Sequence, residues 1–99
     1  MWYAIICEEI ENSLAKRMTA RPAHLQRLQA LVKEGRVLVA GPLPAVDSED
    51  PGDAGYDGSL LIVDFPDIQA ATDWAESDPY VEAGVFWKVT VKPFKKVLP

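Results

Sequence analysis

The run Trp2-Tyr3-Ala4-Ile5-Ile6-Cys7 is apolar at every position, and Ser59-Leu60-Leu61-Ile62-Val63-Asp64-Phe65 comes close to repeating it. Side chains alternate between the two faces of a strand, so a run that is apolar on both parities describes a strand covered on two sides. Any fold for this chain must therefore bury both faces of two strands. Two more strands flank them in the sequence. Arg36-Val37-Leu38-Val39-Ala40 is stopped by Gly41-Pro42, because proline cannot donate to a ladder, and Val85 to Val91 is entered from Gly84. Two helices complete the set. Pro22 to Glu34 repeats Leu25, Leu28, Leu31 and Val32 at helical spacing and ends at Gly35. Asp67 to Ser77 carries the stripe Ile68, Ala71, Thr72, Trp74 and Ala75 behind an Asp67 N-cap, and Asp78-Pro79 closes it. Leu14, Arg17 and Met18 have helical spacing too, which suggests a separate short helix within Glu8 to Ala20.

The order strand, helix, strand, strand, helix, strand is the split βαβ or ferredoxin-like pattern of the α+β class. It predicts one domain over residues 1–99, with a four-stranded antiparallel sheet in the order 4-1-3-2 and both helices on one face. Two helices cover only one side of such a sheet. The second apolar face then needs a partner, and we expect a homodimer that packs sheet to sheet as an α+β barrel, with Trp87 in its core. A 99-residue chain buries only about two-thirds of its unfolded surface, so further burial by self-association is a natural source of stability.

The same topology brings the start of the first helix, the end of the second and the loop between strands two and three to one end of the molecule. His24, the only histidine, falls there with Asp78, Tyr80, Ser59 and the segment Gly41 to Gly58. With Pro22 in the first turn, His24 is expected within a turn of the positive end of the helix dipole, which disfavours imidazolium and suits a general base. Arg21 stands beside it and is a candidate for binding an anionic group through its guanidinium fork. Gly41, Pro42, Ser59 and Tyr80 are the other candidate ligand contacts at this rim. The plainer readings are that His24 bonds to a neighbour, that Asp78 caps the end of the second helix or braces the turn at Pro79, and that Arg17 and Arg21 pair with Glu8, Glu9 or Glu11.

Composition narrows the function by exclusion. A net charge of -5 with scattered Lys and Arg argues against a nucleic-acid or anionic-membrane partner. Lys92, Lys95 and Lys96 form too short a cluster to track phosphates. A lone Cys7 excludes an internal disulfide, and the apolar start without a basic leader leads us to expect a cytoplasmic protein. One histidine cannot build a multi-histidine zinc site, neither Ser48 nor Ser59 sits in a nucleophile elbow, and no glycine-rich phosphate loop is present. The acidic residues of the 41–58 loop lack the spacing and closing glutamate of a calcium loop. No cofactor or metal is expected. A loop of this length is a lid over the His24 rim or a hairpin tip.

Several of these pieces occur together in a known arrangement. Arg21-Pro22-Ala23-His24-Leu25, Ala40-Gly41-Pro42, the acidic loop closing at Gly58-Ser59, Asp78-Pro79-Tyr80 with Gly84-Val85, and Val91-Lys92-Pro93-Phe94-Lys95-Lys96 resemble the YciI family over essentially the whole chain. The resemblance implies a dimeric α+β barrel, related in shape to muconolactone isomerase, and an active site of histidine and aspartate that maps to His24 and Asp78. One branch of the family is similar to a dehydrochlorinase that removes HCl from a chlorinated hydroxyhydroquinone. The expectation is a cofactor-independent lyase or isomerase moving a proton on a small phenolic or lactone-like substrate; the alternative is a non-catalytic ligand-binding or interaction module using the same pocket.

Overall fold

Strand β1 (Trp2–Glu9) lies inside a four-stranded sheet, between β3 (Tyr56–Asp64) and β4 (Phe86–Phe94), with β2 (Val37–Pro44) on the outer side of β3. This computed structural model describes all residues, 1–99. Every neighbouring pair is antiparallel, and Tyr3 faces Val63 while Ile5 faces Leu61 across the central pair. The expected order is therefore found, listed from the other edge. Helices α1 (Leu14–Lys33) and α2 (Ile68–Glu76), with a short third helix α3 (Pro79–Glu82), lie on one face.

The parity of β1 sorts the two faces. Tyr3, Ile5 and Cys7 are buried beneath the helices with Leu61 and Val63 of β3. Ala4 and Ile6, with Leu60 and Ile62, take the opposite parity, and no helix covers them. From α2, Ala71 and Ala75 are fully buried because their small side chains let the helix settle closely on β1 and β4. Ile68, placed in that stripe by spacing, is exposed. The Asp67 carboxylate caps α2 by accepting from the Ala70 N–H at 2.8 Å. Gly58 is required at the β1–β3 pairing, since a Cβ there would drive into the Cys7 carbonyl.

Several features depart from the sequence reading. Helix α1 is a single 20-residue element that runs from Leu14 through Pro22, rather than a short helix followed by another that starts at the proline. Pro22 is tolerated because it sits on the solvent face, where water can satisfy the Met18 carbonyl that loses its partner. His24 is consequently three turns into the helix, beyond the reach of the N-terminal dipole invoked for it. Strand β2 continues through Gly41-Pro42 to Pro44, with Pro42 opposite Ser59, because an edge strand has an unpaired side on which a missing donor costs nothing. Asp78 ends α2 but also starts α3, so the chain turns back into helix at once. Trp87, expected in the core of a dimeric barrel, is 62% exposed in the single chain, beside the register shift between Glu8 and Glu9. The connecting loop shortens to residues 45–55, closed at its base by the Ala45 N–H donating to the Gly55 carbonyl at 3.0 Å.

Candidate active site

Helix α1 packs on α3 and leans over the outer part of the sheet, leaving a cleft of about 800 Å³ between its face and strands β2 and β3. Arg17, Arg21, His24 and Leu28 line one wall at spacings of four, three and four, which is one face of a helix. Ala40, Gly41 and Pro42 form the opposite rim, Ser59, Leu61 and Tyr80 the floor, and Asp50 and Pro51 of the loop one lip. All five candidate ligand contacts, Arg21, Gly41, Pro42, Ser59 and Tyr80, thus border one cavity. Asp78 does not line it. It stands behind His24.

That placement defines the chemistry. His24 Nδ1 lies 2.9 and 2.8 Å from the two Asp78 carboxylate oxygens, and both side chains are buried. A carboxylate accepts only, so at neutral imidazole Nδ1 carries the proton and Nε2 is left as the lone-pair nitrogen. Asp78 is itself held from two further sides. It accepts from the Tyr80 N–H at 2.9 Å as N-cap of α3, and Arg27 Nη1 approaches its other oxygen at 3.4 Å. Arg27 is anchored in turn through a 2.7 Å bond to the Trp74 carbonyl and by its stacking on the Trp74 ring at 4.4 Å. Burial lowers the pKa of Arg27, while the Asp78 charge acts to raise it.

The Tyr80 ring fixes the plane of the imidazole. The two rings are stacked at 4.1 Å between centroids and 13° between planes, and Phe86 meets Tyr80 edge-on at 5.2 Å. The Tyr80 hydroxyl is buried with no hydrogen-bond partner. Burial pushes its pKa up against the opposing pull of Arg17 and Arg21, so the phenol stays protonated. Cys7, opposite Ser59 across the central strand pair, is pushed up to about 12 by burial and, secondarily, by the Asp78 charge. A thiol held protonated is no nucleophile at neutral pH.

A second buried pair lies at the deep end of the same wall. The Arg17 guanidinium bonds Glu9 and is sandwiched by aromatic rings, 4.5 Å above Tyr56 and 5.0 Å from Tyr80. Burial lowers the Arg17 pKa, against the raising pull of Tyr80 and Tyr56. Arg17 and Arg27 were the residues that sequence reasoning undervalued. The signal was there, since 17, 21, 24, 27 and 28 share a helix face, but beginning the helix at Pro22 hid half of it. No three His, Cys, Asp or Glu side chains gather as a metal site would require, and no helix is long and apolar enough to cross a membrane.

Comparison with known proteins identifies the family and the fold. The YCII-related domain matches residues 1–95. The chain is 58% identical to Protein YciI of Escherichia coli over 97 residues, 98% of this chain and 99% of that one. It is 28% identical to Fusaric acid biosynthesis protein 2 of Gibberella fujikuroi over 95 residues, covering 94% and 91% of the two chains. Among solved structures it superposes on the 5-chloro-2-hydroxyhydroquinone dehydrochlorinase TftG of Burkholderia phenoliruptrix, in complex with 2,5-dihydroxybenzoquinone, with a TM-score of 0.83 and 27% identity over 96% of this chain and 94% of that one.

Proposed function

The chain belongs to the YCII-related family, and from that premise and the cleft geometry we propose that it is a cofactor-independent enzyme that moves a proton on a small organic substrate, as a lyase or an isomerase. The observation that carries the proposal is the His24 imidazole, which borders the cleft while both Asp78 oxygens hold its Nδ1 from behind. In this reading His24 Nε2 accepts a proton from an acidic C–H or O–H of the substrate. The electron pair left behind forms a new double bond, and either a leaving group such as chloride departs or the imidazolium returns the proton to another carbon. Asp78 keeps the tautomer that leaves Nε2 free and stabilises the imidazolium as it forms. The relationship to a dehydrochlorinase of 27% identity favours the elimination branch and a hydroxylated ring as substrate.

The test is a screen of chlorinated and unchlorinated hydroxyquinols for chloride release and for solvent-deuterium exchange, with wild type beside His24→Asn and Asp78→Asn. The expected result is turnover that falls by roughly 10²- to 10⁴-fold in His24→Asn. Turnover that survives intact in that variant would remove His24 from the chemistry. A ring ¹⁵N spectrum supplies an independent check: Nδ1 should be the protonated nitrogen of the neutral imidazole.

The working unit in this reading is a cytoplasmic homodimer. The sheet face opposite the helices presents Ile6, Val39 and Leu43 to solvent, beside Leu60 and Ile62, and burying such a face twice over is what a sheet-to-sheet dimer accomplishes. Sedimentation at micromolar concentration should give twice the 10.9 kDa chain mass. A stable monomer would leave that face unexplained and remove the dimer from the proposal.

A further inference from the structure

Among the arginines, Arg21 alone has no partner in the protein. Arg17 is committed to Glu9, Arg27 to Asp78 and the Trp74 carbonyl, and Arg36 to Glu34 and the Asp64 carbonyl. Arg21 enters no ion pair or hydrogen bond, yet it borders the cleft and its charge reaches Tyr80 and Arg17 in the floor and deep wall. It stands three residues before His24 on the same helix face, about 5–6 Å away between Cβ atoms. The other charged group at the cleft mouth is Asp50, on the opposite lip and unpaired with Arg21. The rest of the lining carries no charge: Gln29, Ser59 and Tyr56 are its neutral polar members, and Met18, Leu25, Leu28, Val32, Pro42 and Leu61 supply apolar wall.

From this distribution we infer that the cleft takes a small cyclic carboxylate, its carboxylate forked by Arg21 and its ring between the aliphatic residues of α1 and the β2 rim. This deepens the reading of the same cleft as an active site by naming the substrate class. Three physical steps lead to it. In a protein of net charge -5, the one uncommitted guanidinium lining the cleft is the point within that cleft to which an anion is drawn. The planar guanidinium fork matches a carboxylate bidentately, and a single such group with no lysine or cluster of backbone donors beside it is poor equipment for a phosphate. Asp50 repels an anion from the loop lip, so the charged end is kept at α1. Arg21 and His24 line the same wall on neighbouring turns of one helix face, so a ring whose carboxylate is held by Arg21 lies beside the imidazole. The hydroxyl or C–H on the far side of that ring is then the group presented to Nε2.

Binding can be read separately from catalysis by ¹⁵N–¹H NMR titration of the full chain with 3-hydroxybenzoate, phenol and phenyl phosphate. The expected result is that 3-hydroxybenzoate shifts the amides around Arg21, Leu25 and Ser59, binds at least tenfold more tightly than phenol, and weakens as salt is raised. Arg21→Gln should lose about tenfold in 3-hydroxybenzoate affinity, Arg21→Lys less, and phenol binding should be unchanged in both. His24→Asn should retain carboxylate binding, which separates failure of the proton-transfer reading from failure of this one. Equal affinity for phenol and 3-hydroxybenzoate, an Arg21→Gln variant with unaltered affinity, no binding of 3-hydroxybenzoate at millimolar concentration, or tighter binding of phenyl phosphate would each overturn the inference.

Discussion

Two acid–base pairs stand along helix α1, seven residues apart and equally buried, and they serve opposite ends. Arg17 with Glu9 is sealed between Tyr56 and Tyr80, and guanidinium keeps its proton at any ordinary pH. His24 with Asp78 has the same burial and one of the same aromatic neighbours, but its base can release and accept a proton beside the cleft. Burial and pairing alone therefore do not make a reactive site. In the proposed reading an exchangeable proton at the cleft edge does, and a permanent ion pair stiffens the wall beside it.

Removing one member of each pair sharpens the contrast most. Glu9→Ala leaves a buried guanidinium that cannot shed its charge, and it should lower unfolding stability in urea by about 3 to 5 kcal/mol, whereas the double change Glu9→Leu with Arg17→Met should recover much of the loss. Asp78→Ala leaves an imidazole that can become neutral. Its cost, a lost cap on α3 with the His24 Nδ1–H and the partly buried Arg27 left without their acceptor, should be about 2 kcal/mol in the same measurement. Equal losses in the two variants would break the distinction between a fixed and an exchangeable pair.

The alkaline limb tests the floor beneath the dyad. Cys7 has a folded pKa of about 12 against an ordinary 9.0. Above pH 9 the unfolded chain gives up the thiol proton while the folded chain retains it, so stability is fully present below 9 and is lost as pH rises toward 12, at most about 1.4 kcal/mol per pH unit. Tyr80, also shifted upward, adds to the loss in the same direction. Cys7→Ala should flatten the slope of unfolding free energy between pH 9 and 12, and an unchanged slope would assign the lability elsewhere. The smallest effect is expected at the Tyr80 hydroxyl. It has no partner, so Tyr80→Phe should change stability by less than about 1 kcal/mol, with any change toward greater stability, while retaining the ring stack on His24. A Tyr80→Leu variant, which removes the stack, should instead impair turnover.

Much of this was legible in the residues. Apolar runs on both parities identified β1 and β3 as central strands, and the element order gave the ferredoxin-like topology and its strand order, because side-chain period and connection rules are local and leave few arrangements. His24 does meet Asp78, Ser59, Tyr80 and the Gly41-Pro42 rim as expected, but it reaches them from the middle of α1 rather than from a helix start, so the end-to-end argument placed it there for the wrong reason. Proline misled the reading twice. Pro22 looked like a helix start and Pro42 like a strand stop, yet each was admitted by an exposed surface or an open edge that only the packed molecule creates.

What the sequence determined by itself was thus the order, type and direction of the elements, and with them the neighbourhood of the histidine. What only the tertiary structure decided was partnership. Glu9 rather than Glu8 or Glu11 meets Arg17 because β1 parity turns it under the helices, Arg27 rather than Arg21 reaches Asp78 because α3 packs beside that stretch of α1, and Arg21 is left facing the cleft. Such choices among chemically equal residues depend on angles and distances in the packed molecule, across 51 residues of chain for Arg27 and Asp78, and no local pattern carries that information.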